Sequence, residues 1–287
     1  MVQYNPRDWF GLIFQFHKSD TFRQLAGMML VIALFSGAVA YLEIEILNMR
    51  FKTTTIMHSL LGVVIGLLMV FRTNTAYERW WEGRKLWGSL LNNTRNIAIK
   101  IHAMVPINDQ ETRIKVVELM SNFATALQYH LTHQLSKQQK FIGDTEPKHQ
   151  PNLLATQLYE LVHNLHKEER INGYQFLSLN NELQSLTDIT GACERIKKTP
   201  IPYSYSLFIK KFLFIYIMTM PFSFVSDFGY WIILITTFVF YVLVSLELIA
   251  EEIEDPFGND ANDLPMTSIC ENIKKSSAEI LQIDPNV

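Results

Sequence analysis

The chain has 287 residues, a formal net charge of −3 and two cysteines, Cys193 and Cys270. That balance offers no basic surface for nucleic acid. The cysteine spacing fits neither a zinc site nor a redox pair, so reduced, buried thiols are expected. Mean hydropathy is only slightly positive, but the average hides a polar, charged stretch over 72–211 between two apolar flanks.

The amino terminus (MVQYNPRDWFGLIF) has no basic segment ahead of its apolar residues, so no cleavable signal peptide is expected. A bilayer core takes about 20 apolar residues of helix. The run 25–42 carries no charge, and 53–71 carries none apart from the histidine His58. Farther on, 212–226 is short for a span. It follows Lys210 and Lys211, however, and a tight Ser226-Asp227-Phe228-Gly229 link joins it to the uncharged run 228–246. A helical hairpin crossing twice explains both features. Pro221 within it is tolerable, because neighbouring membrane helices satisfy the freed carbonyl. Four spans follow. Arg7, Lys18 and Arg23 precede the first, and Arg72, Arg79, Arg84 and Lys85 follow the second. The basic residues therefore place both termini and the long middle region in the cytoplasm. Tyr230 and Trp231 suit an aromatic anchor at the outer interface.

From Arg72 to about Met104 the spacing of Leu86, Leu90 and Ile97 is helical, so the second span is expected to continue as one long helix. Val116, Met120, Phe123 and Leu127 mark a second helix over 110–134. Residues 136–150 are polar and broken by Gly143 and Pro147, which predicts a loop. The stretches 151–167 and 177–197 read as two further helices. No strand pattern or internal repeat is present, so the expected fold is all-α, with 1–287 as one domain and 247–287 as a cytoplasmic carboxy-terminal segment.

No Walker loop, dinucleotide glycine pattern or GxSxG occurs, which argues against an enzyme. Two His-x-x-His pairs, His130 with His133 and His163 with His166, each share a helix face. They fit a metal or plain interhelix packing, since two ligands do not make a site. The Arg79-Trp80-Trp81-Glu82-Gly83-Arg84 stretch fits interfacial packing or a lock between neighbouring helices or subunits. The acidic run 251–263 around Pro256-Phe257-Gly258 carries oxygen ligands suited to calcium, without EF-hand spacing, and a solvated acidic turn fits as well. In the second span, Val63, Leu67 and Phe71 fall on one face, extended outward by Thr55 and Ser59. Gly62 and Gly66 lie on an adjacent face, where small residues let helices approach closely. The stripe fits bundle packing or a pore lining that gates by dewetting.

Four stretches resemble the bestrophin family, in its bacterial branch. They are Phe71-Arg72-Thr73-Asn74-Thr75-Ala76-Tyr77-Glu78-Arg79 with Trp80 and Glu82-Gly83-Arg84-Lys85-Leu86-Trp87-Gly88; Gly191-Ala192-Cys193-Glu194-Arg195-Ile196; Thr199-Pro200-Ile201-Pro202-Tyr203; and Glu254-Asp255-Pro256-Phe257-Gly258 with Asn262-Asp263-Leu264-Pro265. The resemblance implies a homopentamer in a lipid bilayer around one pore that passes monovalent ions and needs no cofactor. It implies a hydrophobic neck at Val63, Leu67 and Phe71, and a cytosolic aperture at Ile201, with Thr199 as its alternative. Animal members are calcium-activated chloride channels. Their calcium clasp maps onto the side chains of Asp255, Asp260 and Asp263 and the backbone carbonyl of Glu252, closed by Phe10–Gly11. Here Ala261 and Asn262 interrupt the aspartate run, which weakens the case for calcium. Bacterial members, which this chain resembles, conduct cations without a calcium requirement, and the resemblance implies the same here. The aliphatic Val63 and Leu67 lack the ring edges that favour an anion, which leaves charge selection to the vestibules. An acidic interior vestibule and the bacterial relatives make cations the expected ions and chloride the alternative. A non-conducting scaffold and a metal-dependent membrane enzyme are the remaining alternatives.

Overall fold

A computed structural model describes residues 20–47, 55–132, 149–260 and 262–284, and no strand occurs among them. Helix α1 spans Asp20–Tyr41 and runs into a π-helical turn, Leu42–Ile46. Helix α2 spans Thr55–Met104, 50 residues without a break. Then follow α3 (Gln110–Leu131), α4 (Gln150–Lys167), α5 (Gly173–Lys198), α6 (Tyr203–Phe228), α7 (Ile232–Glu254) and α8 (Met266–Leu281). Among the described residues, three stretches are long and apolar enough to cross a membrane: Thr21–Ile46, the start of α2, and Tyr203–Glu254, which holds both α6 and α7.

The chain divides into two compact units. One comprises Arg79–Thr199 and Asp255–Val287. Its core is built from Trp87, Leu90, Ile97 and Ile101 of α2, the whole expected stripe Val116, Met120, Phe123 and Leu127 of α3, and Leu158, Leu186 and Ile273 from α4, α5 and α8. Helix starts are set by side-chain caps that satisfy free amide donors. Asp109 accepts the Thr112 N–H at α3, and Asn172 and Gln175 form a capping box at α5. That box starts α5 at Gly173, four residues before the expected 177. Helix α3 stops at Leu131, capped through the Thr132 N–H on Gln128, rather than at 134. Arg113 is buried, and its guanidinium donates to the carbonyls of His102, Val105 and Leu281. One cation thereby satisfies carbonyls at the ends of both α2 and α8. The carboxy-terminal segment, for which the sequence reading names no element, holds α8, and Met266, Ile269, Ile273 and Leu281 bury one of its faces in this core.

The other unit comprises Val2–Glu78 and Pro200–Glu254. Leu25 and Ile32 of α1, Ile65 and Met69 of α2, Leu213, Ile217 and Met220 of α6 and Phe240 of α7 pack together in it. The expected 212–226 span is the middle of a 26-residue helix. Lys210 and Lys211 lie within α6 rather than before it, because their side chains are exposed and Lys210 Nζ sits 3.0 Å from the Glu251 carboxylate of α7. Ser226–Phe228 remain helical, and the link is Gly229–Trp231, a single 3-10 turn. Gly229 takes φ +55° there, which a side chain would resist. Tyr230 and Trp231 are exposed, and the Tyr230 hydroxyl donates to Glu45 at 3.2 Å. Gly62 admits Tyr216: a Cβ at this glycine would lie 2.8 Å from the Tyr216 hydroxyl. The same ring stacks on the buried His58 at 4.2 Å. Gly66 meets nothing within 4 Å.

Cys193 and Cys270 are both buried free thiols, and burial pushes each up to about 12. A maleimide reagent at pH 8 is therefore expected to label neither in the folded protein and both after denaturation. Rapid labelling of the native protein would contradict this burial.

Candidate functional site

Helix α2 carries two unlike faces. Between Thr55 and Glu78 its buried positions are His58, Ile65, Met69, Arg72 and Ala76. On another face Val63, Leu67 and Phe71 are 61%, 57% and 61% exposed, and Ile56 and Leu60 extend that exposure toward the helix start. From Thr55 to Phe71 the helix has no formal charge. The first charge, Arg72, is only 1% exposed and turns away from the stripe. Its Nη1 donates to Glu254 Oε2 at 2.7 Å, and its Nε lies 3.5 Å from Glu247 Oε2. The other Glu254 oxygen accepts the Ile201 N–H at 2.8 Å. One carboxylate of α7 thus fixes both the guanidinium beside the stripe and the backbone of the Ile-Pro segment. The Ile201 side chain is buried, whereas Thr199 is exposed.

The acidic run splits. Glu252 lies in the last turn of α7, while Asp255, Asp260 and Asp263 lie in the turn ahead of α8. Asp255 meets Lys197 Nζ at 2.6 Å and is exposed. Asp263 is buried and accepts the Asp260 N–H at 2.6 Å. A Cβ at Gly258 would lie 2.5 Å from Asp263 Oδ2, so the turn closes only over a glycine. Trp80 Nε1 donates to the Asn262 carbonyl at 2.9 Å, and Gly83 leaves room for Phe257 and Pro256. The tryptophan-rich stretch therefore packs on the acidic turn of its own chain. Phe10–Gly11 and Ala261 lie outside the described residues.

His163 and His166 place their rings 6.1 and 5.3 Å from Phe176. His133 lies outside the described residues. His130 instead meets His149 and Glu194, a cluster that pair spacing did not reveal. Both imidazole Nε2 atoms contact Glu194 Oε1, at 2.8 and 2.6 Å. Among the described residues this is the one group of three His, Cys, Asp or Glu side chains placed to hold a metal ion. Burial tends to raise Glu194, but hydrogen bonds from Lys198, His149 and His130 outweigh it and hold the carboxyl down to about 2. Burial lowers His130, against the opposing hydrogen bond to Glu194.

The description Bacterial/Fungal Bestrophin protein matches residues 1–279. The chain belongs to the bacterial/fungal bestrophin family. With its apolar helices, this bestrophin is a membrane protein. It is 38% identical over 237 residues to a protein of Nostoc sp. named as voltage-dependent anion channel-forming, covering 79% of this chain and 77% of that one. A Synechocystis sp. protein of the same description is 31% identical, covering 98% and 94%. YneE of Escherichia coli, also so described, is 30% identical, covering 96% and 92%. The fold matches a bacterial bestrophin homologue from Klebsiella pneumoniae with a TM-score of 0.82 at 24% identity, covering 90% of this chain and 98% of that one.

Replacing Glu254 with alanine leaves the buried Arg72 with only its longer contact to Glu247 and strips the Ile201 N–H of its acceptor. The expected loss is about 3 kcal/mol of stability, seen as a lower Tm in detergent. Lys210→Ala, which removes an exposed pair, should cost less than about 1 kcal/mol. Equal effects would show that the Arg72 pair does not anchor the helices.

Proposed function

We propose that this bestrophin is one subunit of a homopentameric channel that passes small monovalent ions through a single pore. The observation that carries the reading is the charge-free, exposed stripe Val63–Leu67–Phe71, with the next cation turned away from it. Five such faces around an axis would form a hydrophobic neck that controls ions by the cost of removing their water. A single subunit's four spans leave little room for a pore of their own, which favours assembly. The relatives' names, voltage-dependent anion channel-forming proteins, support a channel rather than an enzyme. The spans are about 25–42, 53–71, 212–226 and 228–246, with both termini on the cytoplasmic side of the inner membrane. The aperture lies at Ile201, with Thr199 as its alternative. Calcium is not required: Asp255 has Lys197 as a counter-ion, and Asp263 caps the turn internally.

Cations are the reading favoured by the two aliphatic positions of the stripe and by the acidic residue beyond it. Val63 and Leu67 offer no aromatic edge to an anion. Glu78, exposed and two turns past Phe71 on the same side of α2, would place a ring of carboxylates at the inner end of the neck. The relatives' names favour the second reading, an anion channel. Reversal potential in asymmetric potassium chloride, recorded from purified protein in a bilayer, separates the two. A reversal toward the potassium equilibrium potential is expected, and one toward chloride selects the second reading. No flux above protein-free liposomes would overturn both.

Leu67→Ala widens the neck and should raise single-channel conductance by roughly twofold or more; unchanged current would remove this face from the pore. Glu78→Gln should shift the reversal potential toward zero with the protein still assembled, as expected when a ring of fixed charge is neutralised. An unchanged reversal potential would place selectivity elsewhere.

A further inference from the structure

We propose that His130, His149 and Glu194 form a zinc-class metal site that staples three helices of one compact unit, independently of ion conduction. His130 lies in the last turn of α3, His149 caps the start of α4, and Glu194 lies within α5. Sequence separations of 64 and 45 residues from Glu194 are closed at this point. Two imidazole nitrogens and one carboxylate are a donor set that zinc takes when it keeps a fourth position for water. All three ligand atoms lie within 4.8 Å of one another, and the two rings are 4.6 Å apart.

The geometry needs little change to accept an ion. Tetrahedral zinc bonds of about 2.0–2.1 Å place donors roughly 3.3 Å apart. The two contacts to Glu194 Oε1, at 2.8 and 2.6 Å, would open by about half an ångström or slightly more. None of the three side chains is fully buried: they are 20%, 30% and 18% exposed. A cavity of about 680 Å³ is lined by His149 and Glu194 together with polar groups including Asn152, Thr156 and Thr187. It supplies an entry path and room for the fourth ligand.

The surrounding groups orient the ligands. Lys198 Nζ holds Glu194 Oε2 at 2.9 Å and leaves Oε1 facing the imidazoles. The Glu194 carboxylate offers a negative charge to a divalent ion, and a neutral imidazole is the form in which His130 and His149 would bind it. His149 Nδ1 accepts the Asn152 N–H at 3.2 Å. A metal on Nε2 places the proton of neutral His149 on Nδ1, so this amide would turn to water, which reaches it at the exposed start of α4. Imidazole donors favour zinc and similar transition ions over calcium or magnesium. The site is therefore chemically separate from the acidic turn at Asp255–Asp263.

The test uses the full-length detergent-purified protein, stripped with chelator and titrated with zinc chloride or calcium chloride by calorimetry. One zinc per chain is expected at this site. His130→Ala and His149→Ala should each weaken it by ~100-fold or more, while His163→Ala leaves it intact. Calcium should give no binding that these variants abolish. X-ray absorption of the zinc-loaded wild type should show two imidazoles at the metal, which decides the question even where a variant fails to fold. Lack of zinc uptake, zinc without imidazole scattering, or unchanged zinc affinity in both folded variants would overturn the site and leave a metal-free hydrogen-bonded cluster.

Discussion

Arg72 follows directly on Phe71, and its guanidinium must be neutralised away from the apolar stripe. Helix α7 supplies the means, with Glu254 at 2.7 Å and Glu247 at 3.5 Å. A bare guanidinium against apolar surroundings would cost several kcal/mol, so the pair has to form for α2 to hold its rotation. That rotation buries Ile65 and Met69 and leaves Val63, Leu67 and Phe71 outward. Glu254 also accepts the Ile201 amide, so the same carboxylate fixes the backbone at the residue proposed as the aperture. The proposed neck and the proposed aperture thus share one electrostatic anchor.

The exposed apolar surface of this unit is large and falls on several helices: Leu30 and Leu34 of α1, Phe214 of α6 and Phe238 of α7 are exposed as well as the α2 stripe. In a water-soluble protein such surface would drive aggregation. In a bilayer most of it faces lipid tails at no cost. The α2 stripe differs in chemistry only at its inner end, where Asn74 and Glu78 follow Phe71. An apolar band closing on a carboxylate suits a conduit better than a lipid-facing surface, because a charge at membrane depth is costly unless water reaches it.

Much of this was legible in the sequence. The 3.6-residue period identified α2, α3 and their apolar faces, and charge-free length identified the first two membrane stretches. Lys210 and Lys211 were misleading because a lysine pair ends an uncharged run without ending a helix. Asn172 and Gln175 were a readable start signal for α5, as were the apolar intervals from Met266 to Leu281 for α8. The direction of Arg72 and the meeting of His130, His149 and Glu194 were not legible. Each depends on packing between segments far apart in the chain, which no local period encodes. The family resemblance located the motifs, and packing explains several of them: Trp80 and Gly83 sit against the Pro256–Asn262 turn, and Arg195 reaches Glu82 at 3.4 Å.

The central claim is that the Val63–Leu67–Phe71 face lines the water-filled path. Both native thiols are buried, so an introduced cysteine can be read alone. The most direct measurement is bilayer current from Leu67→Cys and Met69→Cys proteins during exposure to a charged methanethiosulfonate reagent. Current through the Leu67→Cys channel should fall irreversibly while Met69→Cys, on the buried face, stays unaffected. Block at position 69 with none at 67 would contradict the account and turn another face of α2 toward the ions.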